Sequence, residues 1–99
     1  MVGGDAAVVA ELIDAFLEDG PETLRQLRAG VIASDAEMAR RAAHTLKSNG
    51  STFGARELEA LCREQEERAR VGDLSNALAL VDRIDAEWVD VRDALARLR

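Results

Sequence analysis

The chain has 99 residues, 47% of them hydrophobic and 32% charged, with seven Gly and one Pro; this describes one globular domain and excludes a multidomain enzyme. Thirteen basic against 19 acidic side chains give a formal charge of -6, which argues against nucleic acid, whose phosphates need a basic stripe, and against an anionic membrane surface. Aromatics are 3% and Tyr is absent, so the vocabulary favours helix over sheet and an all-α protein is expected.

The lone Cys62 cannot form an internal disulfide, and one His with one thiol, lacking CxxC or HExxH spacing, builds no standard zinc site. A reducing, cytoplasmic setting fits. No apolar run reaches the roughly 18 residues of a membrane span, and Met1-Val2-Gly3-Gly4-Asp5 lacks the basic start of a signal peptide.

Along the first third, Val9, Ile13, Phe16, Leu24, Leu27 and Val31 recur at helical spacing, with Leu12 and Leu17 flanking and Gly20 as the stripe's missing member. Pro21 removes a backbone donor, yet the apolar phase is unchanged across it. One helix from about Asp5 to about Ile32, kinked near Gly20-Pro21, is predicted; two helices are the alternative. Ser34, followed three residues later by Glu37, has the capping-box spacing and predicts the start of a second helix. Its core stripe is Ala39, Ala42, Leu46 and Phe53, and it ends between Gly50 and Gly54.

A third helix is predicted from about Ala55 to Val71, with Leu58, Leu61, Cys62 and Ala69 inside and Glu59 and Arg63 at the favourable i, i+4 spacing outside. Cys62 reads as a small buried apolar residue. Gln65 falls where that stripe wants an apolar side chain, and the sequence assigns it no partner. Gly72 and Asp73 then read as a C-cap and an N-cap. Beyond them Leu74, Leu78, Val81, Ile84, Trp88, Val91, Leu95 and Leu98 form the stripe of a fourth helix. Four amphipathic segments with short connections predict an antiparallel up-down four-helix bundle over residues 1-99.

His44 lies about 160° to 200° from Ala42, Leu46 and Phe53 on a helical wheel, so it points to solvent. Glu37, Arg40, Arg41, Lys47, Ser48 and Ser51 share its face. An exposed His on a helix is ordinarily a surface filler. Here an accessible ring nitrogen can act as a nucleophile, Lys47 one turn on can balance a phosphoryl charge, and the small Ser48 and Ser51 leave room for a partner. Arg40 and Arg41 read as ordinary exposed arginines, or as groups that assist a phosphate or a partner's acidic rim.

The run Ala43-His44-Thr45-Leu46-Lys47-Ser48-Asn49-Gly50-Ser51-Thr52-Phe53-Gly54-Ala55 resembles the signature of histidine-containing phosphotransfer (HPt) domains, roughly A-H-x-L-K-G-S-x-x-x-φ-G-A with φ apolar. The likeness extends from Phe16-Leu17-Glu18-Asp19-Gly20-Pro21 through Leu61-Cys62, which is nearly the whole chain. It implies a four-helix bundle whose His44 takes a phosphoryl group from the aspartate of a response-regulator receiver domain and passes it to another. It further implies Lys47 as the group neutralising the phosphoryl oxygens and Gly54 as a small residue permitting close packing near the site; Arg70 reads as an outer cation. Ser48 departs from the pattern, where Gly is usual, and some members carry Gln where Glu66 stands, which puts that position's supporting role in doubt.

Such a protein is a phosphocarrier. It needs no cofactor of its own, because the receiver supplies the metal and catalytic groups. No GxxxxGK[ST] or kinase-type Gly-rich loop is present to hold ATP. Partners are expected to be receiver domains and a hybrid sensor kinase, docked on the second helix and on the first near Leu17 and Gly20, with a monomer as the oligomeric state. The other functions compatible with the sequence are a phosphorylation-independent interaction bundle and the phosphoacceptor module of a chemotaxis-type kinase.

Overall fold

The computed structural model describes residues 2-99, with side chains from Ala6 onward. Met1, part of the stretch read above against a signal peptide, lies outside the described residues. Four helices follow in chain order: α1 Val2–Ile32, α2 Ala36–Thr52, α3 Arg56–Arg70 and α4 Ala77–Ala96. No strand occurs among the described residues. Each helix packs on its chain neighbours and α4 closes back on α1, with the α2–α3 seam the most extensive.

Cross-helix contacts fix the directions. Arg28 bridges Asp82 and Asp85 at 2.7 and 2.6 Å, while Arg99 pairs with Asp14, so α1 and α4 run antiparallel. The predicted bundle is the observed one.

α1 passes through Pro21 as one helix, which sets the two-helix alternative aside. Its buried side is Ile13, Phe16, Gly20, Leu24, Leu27 and Val31. Val9 does not join it and is exposed. The reason is length: α4 ends level with Asp14, so the first turns of α1 run past it. At 1.5 Å per residue a helix of 31 residues accounts for the 47 Å long axis of the molecule.

The gap at Gly20 has a cause in the core. A Cβ there would run into the six-membered ring of Trp88. Trp88 meets Phe16 edge-on with ring centroids 4.8 Å apart, and Phe16 tilts against Phe53 at 5.1 Å. Gly20 is therefore buried under the indole, and Leu17 is half-buried against the core. Gly20 thus offers no surface of its own near the proline, while Leu17 keeps part of its side chain exposed.

Two helix starts differ from prediction. Asp35, not Ser34, caps α2, its carboxylate accepting from the Met38 amide at 3.1 Å. Ser34 is instead left-handed, with φ 56°. Its amide reaches the Val31 carbonyl and the Asp35 amide the Gly30 carbonyl, the pairing of a Schellman motif. With Ser34 spent on closing α1, Glu37 pairs with Arg40 rather than completing a capping box. Asp73 caps no helix. It accepts from Ser75, and α4 begins only at Ala77. Leu74 thus belongs to the turn, Leu78 and Leu98 are exposed, and Leu80, absent from the predicted stripe, is fully buried.

Candidate functional site

α2 carries His44 at its middle because Ala39, Ala42, Ala43, Leu46 and Gly50 face inward and turn the opposite ridge to solvent. The His44 side chain is 55% exposed. Small inward residues also let α3 come close: a Cβ on Gly50 would lie 3.2 Å from the Glu59 amide nitrogen. That closeness brings a side chain of α3 up to the histidine. Glu66, only 3% exposed, places Oε2 2.8 Å from His44 Nδ1 and Oε1 2.6 Å from Lys47 Nζ. Arg70 stands 3.5 Å from Oε2.

The charge state of Glu66 decides what the ring can do. Burial pushes its carboxyl upward, but the hydrogen bonds from Lys47 and His44 outweigh that and hold it below the usual carboxylate range. An ionised carboxylate only accepts, so Nδ1 donates and carries the hydrogen. In the neutral ring Nε2 then keeps its lone pair, on a side chain that is 55% exposed. A fixed tautomer with an open nitrogen can act as a nucleophile held on a rigid helix.

Arg40 grips Glu37 through two bonds of 2.6 and 3.1 Å, and Arg41 lies 3.9 Å from the same carboxylate. Lys47, predicted on the open face, is 25% exposed and tied back to Glu66. Ser48 and Ser51 are exposed beside the imidazole. On the α1 flank, Thr23 and Gln26 share a polar groove with Met38, Arg41 and Thr45. Farther along the same flank, Leu12, Ala15 and Phe16 share a more apolar groove with Asn49, Thr52 and Phe53.

Gly54 does not do what was expected of it. It is exposed, and a Cβ there would meet nothing within 4 Å. Its φ of 69° is what glycine supplies, closing α2 in a second Schellman motif. The close approach belongs to Gly50.

Glu66 is the residue that sequence reasoning undervalued. Its contacts join it to His44 and Lys47. Its signal was a charged side chain continuing the inward row Leu58, Cys62, which only a partner on a neighbouring helix explains. Gln65 also gains an assignment, its Nε2 donating to the Ala77 carbonyl at 3.1 Å and so tying α3 to the start of α4. Cys62 is buried and its thiol is pushed up to about 12 by burial, which leaves it an unreactive apolar residue. Among the described residues no group of three or more His, Cys, Asp or Glu could hold a metal.

The family model of the Hpt domain matches residues 11-99. The chain belongs to the Hpt domain family. This Hpt domain is similar to a solved structure, histidine-containing phosphotransfer protein B (HptB) from Pseudomonas aeruginosa PAO1, with a TM-score of 0.84 and 39% sequence identity over 89% of this chain and 76% of that one. Among curated proteins nothing matches. No helix of the described residues is long and apolar enough to cross a membrane.

Proposed function

We propose that this Hpt domain is a phosphocarrier of a two-component phosphorelay, taking a phosphoryl group onto His44 from a receiver-domain aspartate and passing it to the aspartate of another receiver. The observation that carries this is the paired state of the imidazole: Nδ1 is engaged by the buried Glu66 at 2.8 Å on a side chain that is 55% exposed, which leaves Nε2 for the role of nucleophile. Lys47 lies one turn away and can swing from Glu66 toward phosphoryl oxygens, while Arg40, Arg41 and Arg70 add positive potential around an otherwise acidic domain. A receiver, itself rimmed by carboxylates around its magnesium, fits a ridge of this sign.

The chain adds no kinase chemistry in this reading, and the magnesium that assists transfer comes with the receiver. Ser48, Ser51 and the grooves of α1 form the docking surface, with Ser48 narrowing it by one hydroxymethyl relative to Gly. Gly54 supports it indirectly by closing α2. A cytoplasmic, monomeric protein working with receivers and a hybrid sensor kinase follows from the same assignment.

The test is phosphoryl uptake from a phosphorylated receiver. The wild-type domain should acquire acid-labile label, and His44→Gln should abolish it while keeping its helical spectrum. If several phosphorylated receivers bind the folded domain and leave it unlabelled, it is an interaction bundle and the phosphocarrier assignment is wrong.

A further inference from the structure

A phosphoryl group on His44 needs donors for its oxygens, and the cations around it are already occupied. Lys47 holds Glu66 at 2.6 Å and Arg70 lies 3.5 Å from the same carboxylate. Arg40 grips Glu37 at 2.6 Å, with Arg41 3.9 Å away. Each of these must loosen an ion pair before it can serve phosphate.

The hydroxyls of the same ridge divide differently. Thr45 donates to the Arg41 carbonyl at 3.1 Å and Thr52 to the Ser48 carbonyl at 3.0 Å, each closing back on the residue four earlier. Ser48 is exposed, and among the described residues its hydroxyl has no hydrogen-bond partner, not even the His44 carbonyl that the same backward bond would reach. Ser51 is equally free but stands seven residues from His44, about 10 Å along the helix axis. Ser48 stands four residues away, where helical side chains are neighbours with Cβ atoms about 5 to 6 Å apart. Side chains of a helix also lean toward its N-terminus, so Ser48 reaches back over the turn that carries the imidazole.

Resting on the phosphocarrier assignment, we propose that Ser48 is a phosphoryl-binding residue, its hydroxyl donating to an oxygen of the group carried on His44 and so drawing the phosphoryl equilibrium from receiver to this domain. On uptake the Nε2 lone pair forms the N–P bond, the P–O bond of the aspartyl phosphate breaks, and the carboxylate leaves with the electron pair. The phosphoryl oxygens are anionic before and after, and a hydroxyl bonded to an anion makes a strong hydrogen bond. In the unloaded domain Ser48 binds only water. A contact made in one of two states shifts the balance between them.

The experiment measures the equilibrium constant for phosphoryl exchange between the domain and one receiver that loads it, at fixed magnesium and with both proteins dilute enough to be mostly free. Docking is then a passage between the two states and drops out of the constant, so a wider or narrower docking surface leaves it unmoved. Helix propensity acts on loaded and unloaded domain alike and cancels too. Ser48→Ala removes the hydroxyl at nearly constant volume, and Ser48→Gly removes the whole side chain. Both should lower the constant for loading by about 3- to 10-fold, the worth of one hydrogen bond.

Phosphorus-31 spectra of the loaded proteins supply a second readout, in which the resonance of Ser48→Ala should be displaced from that of wild type. A wild-type constant in either variant, or a resonance shared by wild type and Ser48→Ala, would overturn the role of Ser48 and leave the carrier assignment standing. A wild type that never loads His44 would overturn both.

Discussion

At the scale of single residues, three helix ends are closed the same way with different side chains. After α2 and α3 the left-handed position is glycine, Gly54 with φ 69° and Gly72 with φ 76°. After α1 it is Ser34 with φ 56°, although a residue with a Cβ is disfavoured there by about 1 kcal/mol or more. Ser34 is exposed and makes no side-chain hydrogen bond among those found in the described residues, so nothing local offsets the strain. Ser34→Gly should therefore stabilise the domain by about 0.5 to 1 kcal/mol, after the extra freedom of glycine in the unfolded chain is deducted. Thermal unfolding would show it as a rise in Tm of roughly 2 to 8 °C. An unchanged or lower Tm would mean that the turn holds Ser34 at no cost.

At the scale of elements, the helices were legible because their periodicity is local. The row Ile13, Phe16, Leu24, Leu27, Val31 was read correctly and is buried. The capping-box pattern at Ser34 misled, since the same residue was needed by the preceding helix end. The stripe of α4 slipped in phase where a turn separates Leu74 from the helix that begins at Ala77. His44 was found because one helix wheel suffices to expose it, and the family signature surrounds it. Glu66 was not, because its partners lie 22 and 19 residues away across a helix crossing, which no periodicity reports.

Gly20 stands between these cases, visible as a gap but explained only by Trp88. Gly20→Ala sets two effects against each other. Helix propensity gains about 1 kcal/mol; the methyl, however, meets an indole already packed edge-on against Phe16, and overpacking of that kind costs about 1 to 3 kcal/mol. The clash should win. A net loss of up to about 2 kcal/mol, a Tm lower by up to roughly 15 °C, is expected in denaturation experiments, together with a changed Trp88 fluorescence spectrum. A Tm raised by the substitution would show that the indole can move aside.

At the scale of the whole molecule, charge is the least balanced quantity, with 19 carboxylates against 13 Lys and Arg. Hydrogen bonds hold several carboxyls below their ordinary values: Asp14 through Arg99, Glu22 through Arg25, Glu37 through Arg40 and Asp73 through Ser75. All four pairs are open to solvent, where screening leaves them little influence on stability. Glu66 is the exception because it is buried, and its net shift is also downward. A carboxyl that is more acidic in the folded than in the unfolded chain stabilises the fold above its unfolded value, and the contribution is lost as pH falls through the folded one. The Tm should thus stay nearly level from neutrality to about pH 5 and fall below about pH 4. Glu66→Gln lacks the ionised form at every pH, so it should melt below wild type at neutrality, by several degrees. As the wild-type carboxyl takes up its proton in acid, the two proteins should converge. Melting curves for both at stepped pH would check this, and a gap that stayed constant into strong acid would place the residue's contribution in its shape instead of its charge.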